Sequence, residues 1–182
     1  MLFILSCNIA FTQTLDEEIE FQYVKAKYLL DTERYEEAIK QFTVIIDQND
    51  SYSDALILRA KAKYAMAAYT GVKKDVLKYV LKKGITPDGI ALMGKSEYKV
   101  GNEESAFNSL SIAAMLIKDD AQIYDYLAAL LEKNGQVEEA CEAYHVAANL
   151  ESSKAQRKVT QTCSDVSPTK RQQDPTSSAD DK

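Results

Sequence analysis

The chain has 182 residues, 46% of them apolar, and a formal net charge of −6. That length suits one domain, and the acidic balance argues against general nucleic-acid affinity, which needs a basic face for phosphates. The single histidine, His145, rules out zinc sites built on several histidines and leaves any Ser-His-Asp arrangement dependent on one imidazole. Placed one residue after Tyr144 in a helical stretch, His145 reads as a partly exposed helix residue.

The chain opens with Met1 to Phe11, MLFILSCNIAF, ahead of the acidic Asp16-Glu17-Glu18. This apolar run is too short for a bilayer-spanning helix, which needs ~20 residues. It matches the central segment of an export signal without the usual positive leading segment. Three readings stay open. Cleavage ahead of Gln13 would make residues 1–12 a signal-like segment. Ile4-Leu5-Ser6-Cys7 would instead be a lipoprotein box, with a lipid on Cys7 as the membrane attachment. The third reading is an uncleaved apolar N-terminus.

From Ile19 onward the sequence repeats every 34 residues, in blocks near 19–52, 53–86, 87–120 and 121–154. The eighth place reads Ala26, Ala60, Gly94, Ala128, and the twentieth reads Ala38, Val72, Ala106, Ala140. Small residues at fixed offsets allow two helices to cross closely, and this period signals antiparallel helix pairs stacked side by side. No alternating β-branched run suggests a strand, so the body is expected to be all-α. Gly101 and Gly135 fall between the helices of their blocks, where a left-handed residue ends a helix. Ser53 with Asp54, Thr86-Pro87-Asp88 and Asp120 read as starts of first helices. The acid pairs Glu36-Glu37 and Glu138-Glu139 open second helices, where the dipole favours them, and do not face one another as a general acid-base pair would. The second block departs most, with Val72 and Tyr79 at places that hold small residues in the third and fourth, and its second helix is expected to sit at a shifted angle or register.

After the fourth block, Ser152-Ser153 starts a short helix over 154–163, whose narrow apolar face is Ala155, Val159 and Cys163. Cys141 and Cys163 lie equally far in sequence from the turn at Ser152. In an antiparallel pair both thiols would then stand ~16 Å from it, at one height. A disulfide clamping this capping helix would stabilise the fold by about 3 kcal/mol; the alternative is two buried free thiols. A redox role would favour a Cys-X-X-Cys turn, and a metal would need two more ligands. No phosphate-cradling glycine loop or activated serine motif is present, so no enzyme activity, cofactor or metal is expected. The tail from Ser164 to Lys182 is polar, contains two prolines and is expected to be disordered.

Gly94, Gly101, Ala106 and Ala113, then Tyr124, Leu127, Ala128, Gly135, Ala140, Tyr144 and Ala147, together with Tyr35-Glu36-Glu37-Ala38-Ile39, resemble the tetratricopeptide repeat (TPR) family. The resemblance covers about residues 19 to 154. It implies a right-handed solenoid of four helix-turn-helix repeats with a short capping helix. It also implies a concave face lined by first helices through places 2, 5, 9 and 12. On this chain those places include Tyr23, Lys27, Lys61, Tyr64, Lys95 and Tyr98, a row of lysines beside tyrosines. The implied partner is a protein or peptide, acidic or carboxylate-ended, held by ammonium groups and rigid rings. Tyr23 and Leu58 break the pattern of modules that clamp chaperone tails. The ending from Glu139-Ala140-Cys141 to Cys163 resembles that of exported bacterial TPR proteins, which implies the periplasm or cell envelope. The expected role is a non-enzymatic scaffold or adaptor, or alternatively a self-associating structural subunit that uses its convex or end faces.

Overall fold

The computed structural model describes residues 2–52 and 54–164, with side chains described from residue 17 onward. Nine helices follow one another among these residues: α1 Leu2–Asp31, α2 Tyr35–Gln48, α3 Ala55–Ala65, α4 Tyr69–Lys83, α5 Pro87–Val100, α6 Glu103–Leu116, α7 Ala121–Lys133, α8 Val137–Asn149 and α9 Ser153–Thr162. No strand occurs among them. The architecture is an all-α, right-handed solenoid of four helix pairs, capped by α9. Of the signal-like segment only the helical path of α1 is described; Ser53, the Cys7 side chain and residues 165–182 lie outside the described residues.

The 34-residue period sets the boundaries. The second helices α2, α4, α6 and α8 begin at Tyr35, Tyr69, Glu103 and Val137, in one register. The register shift expected for α4 is therefore absent. Val72 and Tyr79 are buried in the same core cluster as the fully buried Ala60 and Ala62, whose small side chains leave volume for them. The Tyr79 hydroxyl, which has no counterpart in the other blocks, donates to Asp54 at 3.1 Å.

Each first helix ends alike. Glu33, Ala67, Gly101 and Gly135 occupy the same place in the four blocks, and all have positive φ, between 58° and 81°. The next amide then folds back on the helix: Arg34 to the Leu29 carbonyl, Ala68 to Lys63, Asn102 to Glu97 and Gln136 to Leu131, at 2.8–3.0 Å. This closure satisfies carbonyls that a helix end would leave bare. Glycine adopts it without cost, whereas Glu33 and Ala67 hold a Cβ in a crowded conformation.

Of the marked first-helix starts, α5 and α7 carry side-chain caps, whereas Asp54 ahead of α3 makes no cap hydrogen bond and accepts from Tyr79 instead. Thr86 accepts from the Gly89 amide, ahead of Pro87 at the first helical position, and Asp120 accepts from Gln122. Ser152 accepts from Ala155 and so starts the cap α9. That cap buries Ala155 and Cys163 against α8, with Cys141 and Cys163 at disulfide distance, Cα to Cα 5.6 Å. Lys158 of α9 also reaches Glu132 of α7 at 2.8 Å, and Tyr144 donates to the same carboxylate. Hydrogen bonds from Lys158 first, then Tyr144, hold Glu132 below the usual carboxylate range.

The core is a strip of three clusters running from α1 to α9. In the third repeat α5 and α6 cross so closely that a Cβ on Gly94 would stand 2.9 Å from Leu110 Cγ and 3.0 Å from its amide nitrogen. In the second repeat the packing is partly ionic. Asp75 of α4, its side chain 2% exposed, takes two hydrogen bonds from Arg59, at 2.8 and 2.6 Å, and one from Lys63 at 2.7 Å. Arg59 also donates to Thr43 of α2 at 3.1 Å, so the cluster joins the first two repeats.

Candidate functional site on the concave face

Three successive first helices, α3, α5 and α7, shape a groove of about 570 Å³. Lys61 and Tyr64 come from α3, Leu92 and Lys95 from α5, and Gln122 from α7. Their spacing places them: Lys61 and Lys95 share one place in their blocks, so the same helix face carries each to the same wall.

The groove carries both signs of charge. Lys61 bridges to Asp88 at 2.8 Å, and Lys95 is paired with Asp120. Asp88 lies in the first turn of α5 and Asp120 caps α7, so each lysine reaches the start of the following repeat's first helix. Asp119 lines the same groove. Of the lysines singled out from the sequence, Lys61 and Lys95 line this groove, and each is answered by an aspartate. The reason is geometric. Acids that favour a helix start sit beside the lysine of the repeat before.

A set of rings forms one end of the site. Tyr64 donates to Gln122 Oε1 at 3.1 Å and lies 3.4 Å from the Tyr126 hydroxyl, so α3 touches α7 across the third repeat. Tyr69 meets Tyr64 edge-on at 5.5 Å, and Tyr98 stacks on Tyr126 with centroids 4.2 Å apart. Lys99 lies over the Tyr126 ring at 5.2 Å. Burial first, then the Tyr126 hydroxyl, pushes the Tyr64 phenol up, and burial followed by Tyr126 does the same to Tyr98. These phenols stay protonated and act as neutral donors or acceptors through the physiological range.

Lys61, Tyr64 and Lys95 thus converge, and Tyr98 adjoins them through Tyr126. Tyr23 and Lys27 form a separate group on α1. Tyr23 packs edge-on against Phe42 and Tyr52, and Lys27 lies 5.7 Å from the Tyr23 centroid. The sequence reading missed Gln122, which lines the groove, and Tyr126, which backs Tyr64 and Tyr98 beside it. Gln122 occupies place 2 of its block, which the resemblance does assign to the concave face. Tyr126 carried no such signal. Among the described residues no group of His, Cys, Asp or Glu is placed to hold a metal ion, and no helix is long and apolar enough to cross a membrane.

No protein-family model matches the chain, and no curated protein matches it. Solved structures do. A structure of MamA designated AMB-1 aligns with TM-score 0.67 at 16% identity, covering 79% of this chain and 80% of its own. A second MamA crystal structure gives 0.64 at 15% identity over 75% and 74% of the two chains. A double mutant of MamA designated RS-1 gives 0.63 at 16% over 73% and 75%. At such identities the likeness speaks for the fold alone, and the fold it supports is the TPR-like helical solenoid that the 34-residue period describes.

Proposed function

We propose that the protein is an exported, non-enzymatic TPR adaptor that holds a peptide or protein partner in its concave groove. The observation that carries this reading is the convergence of Lys61, Tyr64, Lys95 and Gln122 from three successive first helices on one groove. An extended chain laid there meets rigid rings, a neutral amide and ammonium groups in turn. An acidic or carboxylate-ended partner would take Lys61 and Lys95 by displacing Asp88 and Asp120, exchanging one ion pair for another, so electrostatics would set selectivity more than affinity. Export fits the apolar opening segment and the cysteine pair, since disulfides persist in oxidising compartments.

The test is affinity capture from crosslinked cells, comparing the native chain with the Lys61→Glu, Lys95→Glu double variant. The helical circular dichroism of both is checked first. A discrete partner captured by the native chain and lost by the variant is expected. The same partner retained by both would move the contact off the groove.

A further inference from the structure

Phe21, Val24 and Tyr28 of α1 are 67%, 57% and 61% exposed, and they lie three and four residues apart on one side of the helix. Their places in the repeat explain why this is unusual. The same places in later blocks hold Ala55, Gly89 and Ile123, then Leu58, Leu92 and Tyr126, then Ala62, Ser96 and Leu130. Those nine are buried, apart from the half-buried Leu58. This is the face on which each first helix receives the second helix of the repeat before it. On α1 the face is built, apolar and aromatic, and among the described residues no helix covers it. The opposite end of the solenoid is closed by α9.

Whatever covers α1 must imitate a second helix with an apolar ridge. It must also suit a mainly acidic border, because Glu17, Glu20 and Asp31 flank the stripe, with the one lysine Lys25 beside Phe21 and Tyr28. A second α1 laid antiparallel would set Glu17 near Asp31 of the other copy, like charge against like. The chain does carry a fitting surface elsewhere. The outer side of α4 exposes Leu77 and Leu81, and Ile85 follows just beyond the helix. Leu81 is 87% exposed. Around this ridge α4 holds five lysines: Lys73 pairs with Glu97 and Lys78 and Lys82 share Asp50, while Lys74 and Lys83 stand exposed beside them, and the one acid of the helix, Asp75, points into the core. A groove of about 390 Å³, lined by Tyr69, Lys73, Leu77, Glu97 and Val100 among others, runs beside the ridge and has room for an aromatic ring. The outer face of α6 is also apolar, through Ile112, Met115 and Leu116, but that helix has no basic residue. Charge therefore selects α4.

We infer that the bare face of α1 docks on the outer face of α4 of a second copy, with Phe21, Val24 and Tyr28 against Leu77 and Leu81 and the flanking acids against the lysines. The contact is heterologous. Each copy offers one α1 and one α4, so copies join head to tail, into a chain or a closed ring, instead of as a symmetric pair. Both surfaces lie outside the concave groove, so assembly and partner capture are separable.

The test uses the full chain and two exposed substitutions, Phe21→Glu and Leu81→Glu. Sedimentation of the native chain is expected to show species that grow with concentration and shrink with added salt. Each variant alone is expected to be monomeric with unchanged helical circular dichroism. Mixed together, they are expected to form a one-to-one pair and nothing larger, because Phe21→Glu keeps an intact α4 and Leu81→Glu an intact α1. A native chain that stays monomeric at every concentration would overturn the inference. So would a Leu81→Glu chain that assembles like the native one, or a mixture that stays monomeric.

Discussion

The first two repeats and the last two share one period but not one way of holding together. In the first pair, an ionic cluster of Asp75, Arg59 and Lys63 reaches Thr43 of the repeat before, and the helix-ending turns use Glu33 and Ala67 in a left-handed conformation. In the second pair the helices of a repeat meet by close apolar contact, as where Gly94 meets Leu110, the ion pairs such as Lys95–Asp120 and Lys158–Glu132 link one element to the next, and the turns use glycine. The last repeat is then sealed by α9 and the cysteine pair, while the first leaves Phe21, Val24 and Tyr28 bare. A repeat scaffold thus tolerates different local solutions provided that each presents the same two faces to its neighbours.

The contrast can be broken most forcefully at Asp75. Asp75→Ala leaves Arg59 and Lys63 without their shared carboxylate and is expected to cost about 3 kcal/mol, measured by urea unfolding. If the loss is negligible, the ionic account of the first half is wrong. Cys163→Ser is expected to cost a similar ~3 kcal/mol by the loop-entropy model. Hydrogen exchange should localise that loss to α9 and the end of α8, leaving α1 to α4 protected as before. Gly94→Ala is smaller, because the neighbours must move by a few tenths of an ångström; about 2 kcal/mol is expected from overpacking, read from the thermal midpoint. The smallest effect has the opposite sign. Ala67→Gly should stabilise the chain by about 0.5–1 kcal/mol by relieving the left-handed Cβ, and Gly101→Ala should lose about as much. Equal and opposite shifts would show that the four turns are one device filled in two ways.

Much of this was legible in the residues. The period fixed four helix pairs, Gly101 and Gly135 marked the turns, and Thr86-Pro87, Asp120 and Ser152 marked helix starts, because these are local effects of a few atoms. Glu33 and Ala67 gave no such sign, since a turn held from both sides by packed helices imposes its backbone on whatever residue stands there. Lys61 and Lys95 were singled out by their place in the repeat, but their pairing was not. Asp88 and Asp120 had been assigned to helix starts, and only stacking brings one repeat's start beside the lysine of the repeat before. The Asp75 cluster left a trace that was overlooked: Arg59 and Lys63 lie four apart on one side of α3, and Asp75 is the one acid on α4. The orientation of α1 was not legible, because Phe21, Val24 and Tyr28 look like core residues and would be core if another helix lay on them.

Tyr64 has one further consequence. A solenoid in which every repeat touches only its neighbours behaves as a one-dimensional chain, able to lose an end or a middle unit piecemeal. The hydroxyl of Tyr64 reaches Gln122 and Tyr126 two repeats away. That single side chain adds a second-neighbour coupling, which ties the second repeat directly to the fourth across the third. Bending of the stretch from α3 to α7 must stretch or break these contacts, so the groove between them is expected to hold its curvature more firmly than nearest-neighbour packing alone would allow.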